Sequence, residues 1–270
     1  GAEVVSLGRS DDFVPVDTEA VGEADLAQAR NWCKAHRLDA VVSTDGDGDR
    51  PLVFDENGEF VRGDLLGLMC ARDLGIQTLA VPVSCNTAIE QCGAFGQVLR
   101  TRIGSPFVIA TMNDFACKSP EPVAGFEANG GFLLGVAVSG LAALPTRDAL
   151  LPMLSLLAAA VAQQTRVSSL VAALPQRFTY SDRLQAFAPD QSRQLLARLA
   201  VEEGLQSRIA GRHNPPSVVD MTDGVRMTFA DGDIVHLRAS GNAPELRCYA
   251  EAASLEVARA LAMGALSRVL

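Results

Sequence analysis

"LDAVVSTDGDGDRPLVFD", residues 38–55, joins a short β-branched run to three aspartates at alternate positions, Asp45, Asp47 and Asp49, with a glycine after each of the first two. The run over residues 38–44 predicts a buried strand of the parallel kind. The acidic loop then stands at a strand's carboxyl end, where open α/β sheets place their ligands. Three carboxylates this close repel one another and call for a positive charge among them. Hard divalent ions take oxygen ligands, and glycines let the backbone curl until alternate side chains turn toward one point. The stretch therefore points to a metal loop, with a solvated acidic turn as the plainer alternative.

An EF-hand is the rival metal loop, since the aspartates fill positions 1, 3 and 5 and Glu56 falls at position 12. Its middle does not match: Arg50 replaces the glycine of position 6, Pro51 follows, and a strand precedes where a helix is needed. Arg50 can offset the acid cluster, hold an anionic ligand beside the metal, or form an ordinary salt bridge.

Working outward, residues 23–37 carry helical spacing, with Leu26, Ala29, Trp32 and Cys33 on one side. Asn57-Gly58 between "PLVFD" and "EFVRG" favours a tight hairpin. A helix entered at Asp64 and closed by Gly75, a strand "QTLAVPVS", a helix capped by Asn86 and a strand "QVLRTRI" follow. This alternation implies parallel βαβ units. Beyond a loop and helix at 104–117, "PVAGFEANGGFLLGVAV" reads as a strand broken by a glycine-rich turn, and 147–164 as a long apolar helix. Pro175 marks a linker into a different pattern of helix, strands and helix, with two Asp-Gly turns in "SVVDMTDGVRMTFADGDIVHLRAS". The expected architecture is α/β with mixed sheets plus a C-terminal α+β domain, divided as 1–49, 50–165 and 175–270; the last is of ordinary domain size.

Of the 270 residues, 48% are hydrophobic, which is enough for a sizeable core, and no apolar run reaches the roughly 18 to 20 residues of a membrane span. A net charge of −9 without a Lys/Arg run argues against a nucleic-acid partner. Six cysteines without a CxxC pair read as buried thiols of a reducing compartment, hence a cytoplasmic protein. Neither a signal peptide nor an initiating Met stands at the start.

Two further stretches carry chemistry. In "GFEANGG", residues 125–131, Glu127 and Asn129 can accept from and donate to adjacent sugar hydroxyls, although a plain turn with Asn at positive φ is the simpler reading. In "RASGNAPELR", residues 238–247, Arg238, Ser240, Gly241, Asn242 and Arg247 combine two guanidiniums with a hydroxyl and N–H donors, the set a dianionic phosphate needs. A simple turn between strands is the alternative.

"TDGDGDR", "GFEANGG" and "RASGNAPELR", in this order, resemble the metal, sugar-recognition and phosphate loops of the α-D-phosphohexomutase family (phosphomannomutase/phosphoglucomutase). The resemblance covers the chain from about residue 38 onward. It implies four domains around a cleft, Mg²⁺ on Asp45, Asp47 and Asp49, and Arg50 beside the active-site phosphate. It also implies sugar contacts from Glu127 and Asn129, and a grip on the non-reacting phosphate by Arg238, Ser240, Gly241, Asn242 and Arg247. The implied reaction is phosphoryl transfer between C6 and C1 of a hexose phosphate, with mannose as the first expectation and glucose as the alternative. Asn129 stands where the family often has serine, Asn242 where threonine is frequent, and Ala243 where an acid often follows. "RTRIGSPFV" resembles the third-domain loop but lacks the basic residue often found after its glycine.

The family's phosphoserine lies in a segment resembling "TASHNP", and no such segment is found. His213-Asn214-Pro215 follows Arg212 instead of serine and lies in the last domain, so it reads as a loop; His36 and His236 read as structural. The expectation is a fragment that starts midway through the second domain, is inactive by itself, and has the N-terminal part of the same protein as partner. A non-catalytic sugar-phosphate-binding module and a calcium-stabilised structural domain are the rival classes.

Overall fold

The computed structural model describes every residue except Ala20 and Asn242. Three sheets, in chain order, are formed among the described residues.

The first is an antiparallel ribbon of β1 (Ala40–Thr44), β2 (Pro51–Asp55) and β3 (Phe60–Val61), preceded by helix α1 (Glu23–His36). The parallel, buried strand expected over 38–44 is corrected. β1 pairs antiparallel with β2 across the acidic loop, from Ala40↔Asp55 to Thr44↔Pro51, and Val42 is exposed. The aspartates thus form a hairpin connection, because the loop is short enough to return the chain alongside itself. β2 is buried on both faces: Leu52 and Phe54 pack with Ala29 of α1, while Val53 joins the main core. Gly58 closes the next hairpin at φ 77°, as Asn57-Gly58 foretold.

The second sheet runs β5 (Gln97–Thr101), β4 (Thr78–Pro82), β6 (Val123–Phe126), β7 (Phe132–Leu134) and β8 (Leu144–Asp148). β4 is parallel to β5 and β6, and β7 and β8 are added antiparallel. Helices α2 (Gly63–Asp73) and α5 (Leu150–Ala162) cover one face, where Leu66, Leu68, Phe126 and Phe132 are buried. Helix α4 (Ser105–Ala116) covers the other through Val108 and Met112. The helix expected over 147–164 starts later, because "LPTRD" forms the wet edge strand β8. Asp64 does not cap α2; it lies inside the first turn, fully buried, bonded to the Arg62 guanidinium and accepting the Asn86 N–H. Asn86 accepts the Ala88 N–H, but α3 (Ala88–Gln91) is a single turn.

After α6 (Val167–Ala172), Pro175 leads into a strand and not a helix: β9 (Phe178–Leu184) is the edge of the third sheet. Helices α7 (Pro189–Leu199) and α8 (Glu203–Ala210) precede β10 (Val218–Asp220), β11 (Val225–Thr228), β12 (Ile234–Ala239) and β13 (Leu246–Ala252), and α9 (Leu255–Val269) closes the chain. This antiparallel sheet, ordered β10-β11-β12-β13-β9, turns Val235, Leu237, Leu246 and Cys248 toward the helices. Alternation puts its polar residues on the opposite face in rungs: Arg226, His236, Tyr249 and Ser181 in one, Arg238, Arg247 and Arg183 in the next. That face docks on the middle sheet through Glu251, which accepts the Thr87 N–H at 3.0 Å and is paired with Arg177 at 2.9 Å.

Four of the six cysteines are buried, and all are free; burial pushes the Cys70 and Cys248 thiols up to about 12, so they act as core residues. No helix among the described residues is long and apolar enough to cross a membrane.

Two outcomes follow from this packing. A Cβ on Gly63 would lie 2.3 Å from the Gly130 nitrogen and 2.4 Å from the Asn129 carbonyl carbon. Gly63→Ala therefore forces two backbones apart and should cost about 3 kcal/mol in denaturant unfolding; a loss below about 0.5 kcal/mol would show that the approach is not tight. His236 is buried, stacked on Tyr249, and donates from Nε2 to the Asp223 carbonyl at 2.5 Å. Desolvation lowers its pKa to about 4, with Arg226 and Arg238 in the same direction and Asp223 opposing. The folded pKa lies below the unfolded one, so the unfolded state takes up the proton first and stability falls as pH drops from 6.5 toward 4. The loss specific to His236 should approach about 3 kcal/mol and vanish in His236→Gln, measured by urea unfolding at both pH values.

Candidate functional site

The acidic loop is built by its own backbone. The Asp45 N–H donates to the Arg50 carbonyl, Gly48 N–H to the Asp45 carbonyl, and Arg50 N–H to Asp45 Oδ1 at 3.2 Å. These bonds close the turn, Gly48 supplies φ 78°, and the three aspartates each present a carboxylate oxygen within 4.8 Å of the others. Asp49 Oδ1 is buried with no hydrogen-bond partner among the described residues. A vacant buried acceptor in an all-oxygen cluster fits a hard cation. Glu56 takes no part: it accepts from the Ser168 N–H and hydroxyl, which removes the twelfth ligand of an EF-hand.

Two guanidiniums flank the loop. Arg50 Nε lies 3.6 Å from Asp45 and 3.7 Å from Asp49. Arg147, at the end of β8, reaches Asp49 Oδ2 at 2.6 Å. Its stem fills the space beside Gly131, where a Cβ would lie 2.9 Å from its Cγ and Cδ. The glycine of "GFEANGG" thereby admits a long cation to the metal loop. Sequence reading placed Arg147 in a helix and missed it; the charged pair "RD" at the foot of an apolar helix was the available signal.

The "GFEANGG" turn lies against this loop. A Cβ on Gly130 would meet Pro51 Cγ at 2.8 Å and the Gly63 Cα at 2.9 Å. Glu127 and Asn129 are both buried, and Asn129 Oδ1 accepts the Gly131 N–H at 3.0 Å. Its amide donates to Glu19 at 3.3 Å, a carboxylate from the segment before α1 that sequence reading also missed. Desolvation raises the Glu127 pKa against the pull of Arg147, Asn129 and Arg50. Glu19 is raised by desolvation and then by Glu127.

Opposite stands the polar face of the third sheet. Arg238 Nε lies 3.3 Å from Asp223, and Arg247 Nη2 lies 3.4 Å from Glu245. Both Nε atoms are buried without hydrogen-bond partners among the described residues. The Ser240 N–H bonds the Glu245 carbonyl at 2.9 Å, closing the loop that carries Gly241; Asn242 lies outside the described residues. Asp223 accepts the Ile103 N–H at 3.0 Å and so ties this sheet to the loop before α4, where Arg102 stacks on Phe107 at 4.7 Å. His213 and His36 lie away from this face, in an exposed loop and at the end of α1.

A cleft of about 440 Å³ separates these walls, lined by Asp17, Glu19, Arg50, Ser181, Arg183 and Arg247 among others. Arg50 of the acidic loop and Arg247 of the third sheet thus face one space, of the size that takes a small polar ligand.

Residues 62–178 match "Phosphoglucomutase/phosphomannomutase, alpha/beta/alpha domain III", and residues 189–266 match "Phosphoglucomutase/phosphomannomutase, C-terminal domain". A phosphomannomutase of Salmonella muenchen is 51% identical over 95% of this chain and 54% of its own length. A phosphoglucomutase/phosphomannomutase family protein of Burkholderia thailandensis superposes with TM-score 0.65 at 20% identity, over 91% of this chain and 51% of the other. The Aspergillus fumigatus N-acetylphosphoglucosamine mutase, solved with GlcNAc-6P and magnesium, superposes with TM-score 0.56 at 20% identity, over 89% and 52%. The chain spans about half the length of the curated relatives it matches. With two family domains matched in order and the helices and mixed sheets that they require, the chain belongs to the phosphoglucomutase/phosphomannomutase family.

Proposed function

We propose that this chain supplies the metal, sugar and phosphate sites of a hexose phosphomutase, a phosphomannomutase that interconverts hexose 6-phosphate and hexose 1-phosphate. The observation that carries the reading is convergence: the acidic loop, the segment before α1 and the face of the third sheet, far apart in sequence, border one cleft whose lining includes Arg50 and Arg247, and Asn129 of the "GFEANGG" turn bonds Glu19 of that lining. The relatives' names support the reaction class.

Asp45, Asp47 and Asp49 would hold a divalent cation, Mg²⁺ by the chemistry of an oxygen-only donor set. When bound, the ion offsets charge on the phosphoryl group in transfer. Arg50, half-exposed beside two of the aspartates, would hold the reacting phosphate on its outer side. Arg147 fixes the orientation of Asp49 and keeps the loop from spreading by mutual repulsion.

Glu127 and Asn129 would orient the sugar. The carboxylate accepts from a ring hydroxyl and the amide donates to a neighbouring one, in a turn too closely packed to swing away. Arg238, Ser240, Gly241, Asn242 and Arg247 would grip the phosphate that is not reacting, through the guanidinium N–H groups that Asp223 and Glu245 leave over. Holding that phosphate against the third sheet sets which end of the sugar faces the metal loop. The reading assigns no phosphoryl-carrying serine to these residues, and turnover would need one from outside them.

In calorimetric titration, Asp49→Asn should weaken Mg²⁺ binding by tenfold or more, because it removes a ligand charge and its orphaned acceptor; unchanged affinity would remove the metal from this loop. Glu127→Gln should leave Mg²⁺ affinity within about twofold while lowering affinity for mannose 6-phosphate by roughly tenfold, the scale of one buried charge-assisted hydrogen bond. Equal loss of both would mean that Glu127 serves the metal loop and not the sugar.

A further inference from the structure

The phosphate motif accounts for two arginines, but the sheet aligns three. In register, Arg238 of β12 stands opposite Arg247 of β13, and Arg247 stands opposite Arg183 of β9. Cross-strand partners project from the same face of a sheet, and adjacent strands lie roughly 4.7 to 4.9 Å apart. Like charges placed directly opposite one another are unfavourable, so such a row needs anions to hold it. Two carboxylates are in range: Asp223 for Arg238, and Glu245, which lies 3.6 Å from Arg183 and 3.4 Å from Arg247. Two carboxylates within ion-pair distance serve three guanidiniums, so one carboxylate is shared; Asp17, Glu19 and Asp182 line the same cleft farther along it. Asp182, the next residue on β9, spends one carboxylate oxygen on the N–H of Arg183 itself.

Arg183 also stands in the right place. It lines the 440 Å³ cleft with Arg50, Arg247, Ser181 and Tyr249, and its side chain is 52% exposed, so its planar fork has donors to spare. Ser181, two residues before it, extends the same face of β9 toward Tyr249 and adds a hydroxyl at the same wall.

We propose that Arg183 is a third phosphate-binding arginine, which closes on the non-reacting phosphate from the β9 side while Arg238 and Arg247 hold it from the motif side. The inference rests on the reading of "RASGNAPELR" as a phosphate loop. It adds a residue from a strand outside that motif, and it gives the shared Glu245 a function: it holds two guanidiniums parallel until a dianion bridges them.

The test is calorimetric titration of the 270-residue chain with mannose 6-phosphate and, separately, with inorganic phosphate, using wild type, R183Q, R183K and R247Q. The expected result is about tenfold weaker binding of both probes by R183Q at an unchanged thermal midpoint, with partial recovery in R183K, which restores charge without the bidentate fork. Wild-type affinity in R183Q beside a loss in R247Q would overturn the assignment of Arg183 and leave the phosphate loop standing. Failure of wild type to bind either probe would overturn the phosphate-loop reading and this assignment with it. If R183Q proves less stable, R183K decides: wild-type binding in R183Q despite lower stability, or equal binding by R183K and wild type beside an R183Q loss that tracks unfolding, would reduce Arg183 to a structural ion pair.

Discussion

The site depends on one close approach. Gly63, at the start of α2, and Gly130, in the turn between β6 and β7, meet backbone to backbone with Pro51 against them. A side chain at either glycine would push the "GFEANGG" turn off the strand that leaves the acidic loop. With both bare, Glu127, Asn129 and the three aspartates become neighbours although more than seventy residues separate them in sequence. The approach is held from below by the main core, in which Val53 of β2 and Phe126 of β6 are both buried. Packing free energy spread over many apolar contacts thus fixes polar groups that could not hold themselves together.

Charge then divides the cleft into two walls. On one side carboxylates outnumber cations: Asp45, Asp47, Asp49 and Glu127 face Arg50 and Arg147. The raised pKa of Glu127 is the mark of its burial, which outweighs the pull of Arg147 and Arg50. On the other side the rung of Arg238, Arg247 and Arg183 shares two carboxylates within ion-pair distance. A ligand that is anionic at one end and rich in hydroxyls matches this division, with a cation completing the acidic wall. The two walls are held in relation by a few partly buried charged bonds, Glu251 with Thr87 and Arg177, and Asp223 with Ile103, each of which is worth more than a fully exposed pair because its charged partner is partly withdrawn from water.

Much of this was legible in the sequence, for local reasons. The acidic loop declares itself by like charge at alternate positions, and the Asn-Gly and Asp-Gly hairpins by the backbone they require. The helices around the middle sheet follow from apolar spacing. What escaped was set by partners distant in sequence. The strand over 38–44 read as parallel because its own composition is apolar, while its pairing is decided by the length of the loop that follows. β8 and β9, "LPTRD" and "FTYSDRL", hid because edge strands with a wet face carry charges that mimic loops. Arg147 and Arg183 were lost with them. Asp223 and Glu19 join the walls through contacts more than a hundred residues away, with Ile103 and Asn129.

The central claim is that the acidic loop and the arginine face serve one ligand in one cleft. Phosphorus-31 relaxation of mannose 6-phosphate, measured with Mn²⁺ in place of Mg²⁺, tests this directly, since paramagnetic broadening falls steeply with distance from the ion. The account predicts strong broadening of the bound ligand's phosphorus signal by the wild-type chain carrying Mn²⁺, reversed by excess Mg²⁺. Saturating binding of both Mn²⁺ and the sugar phosphate with no broadening would place the two sites apart and contradict it.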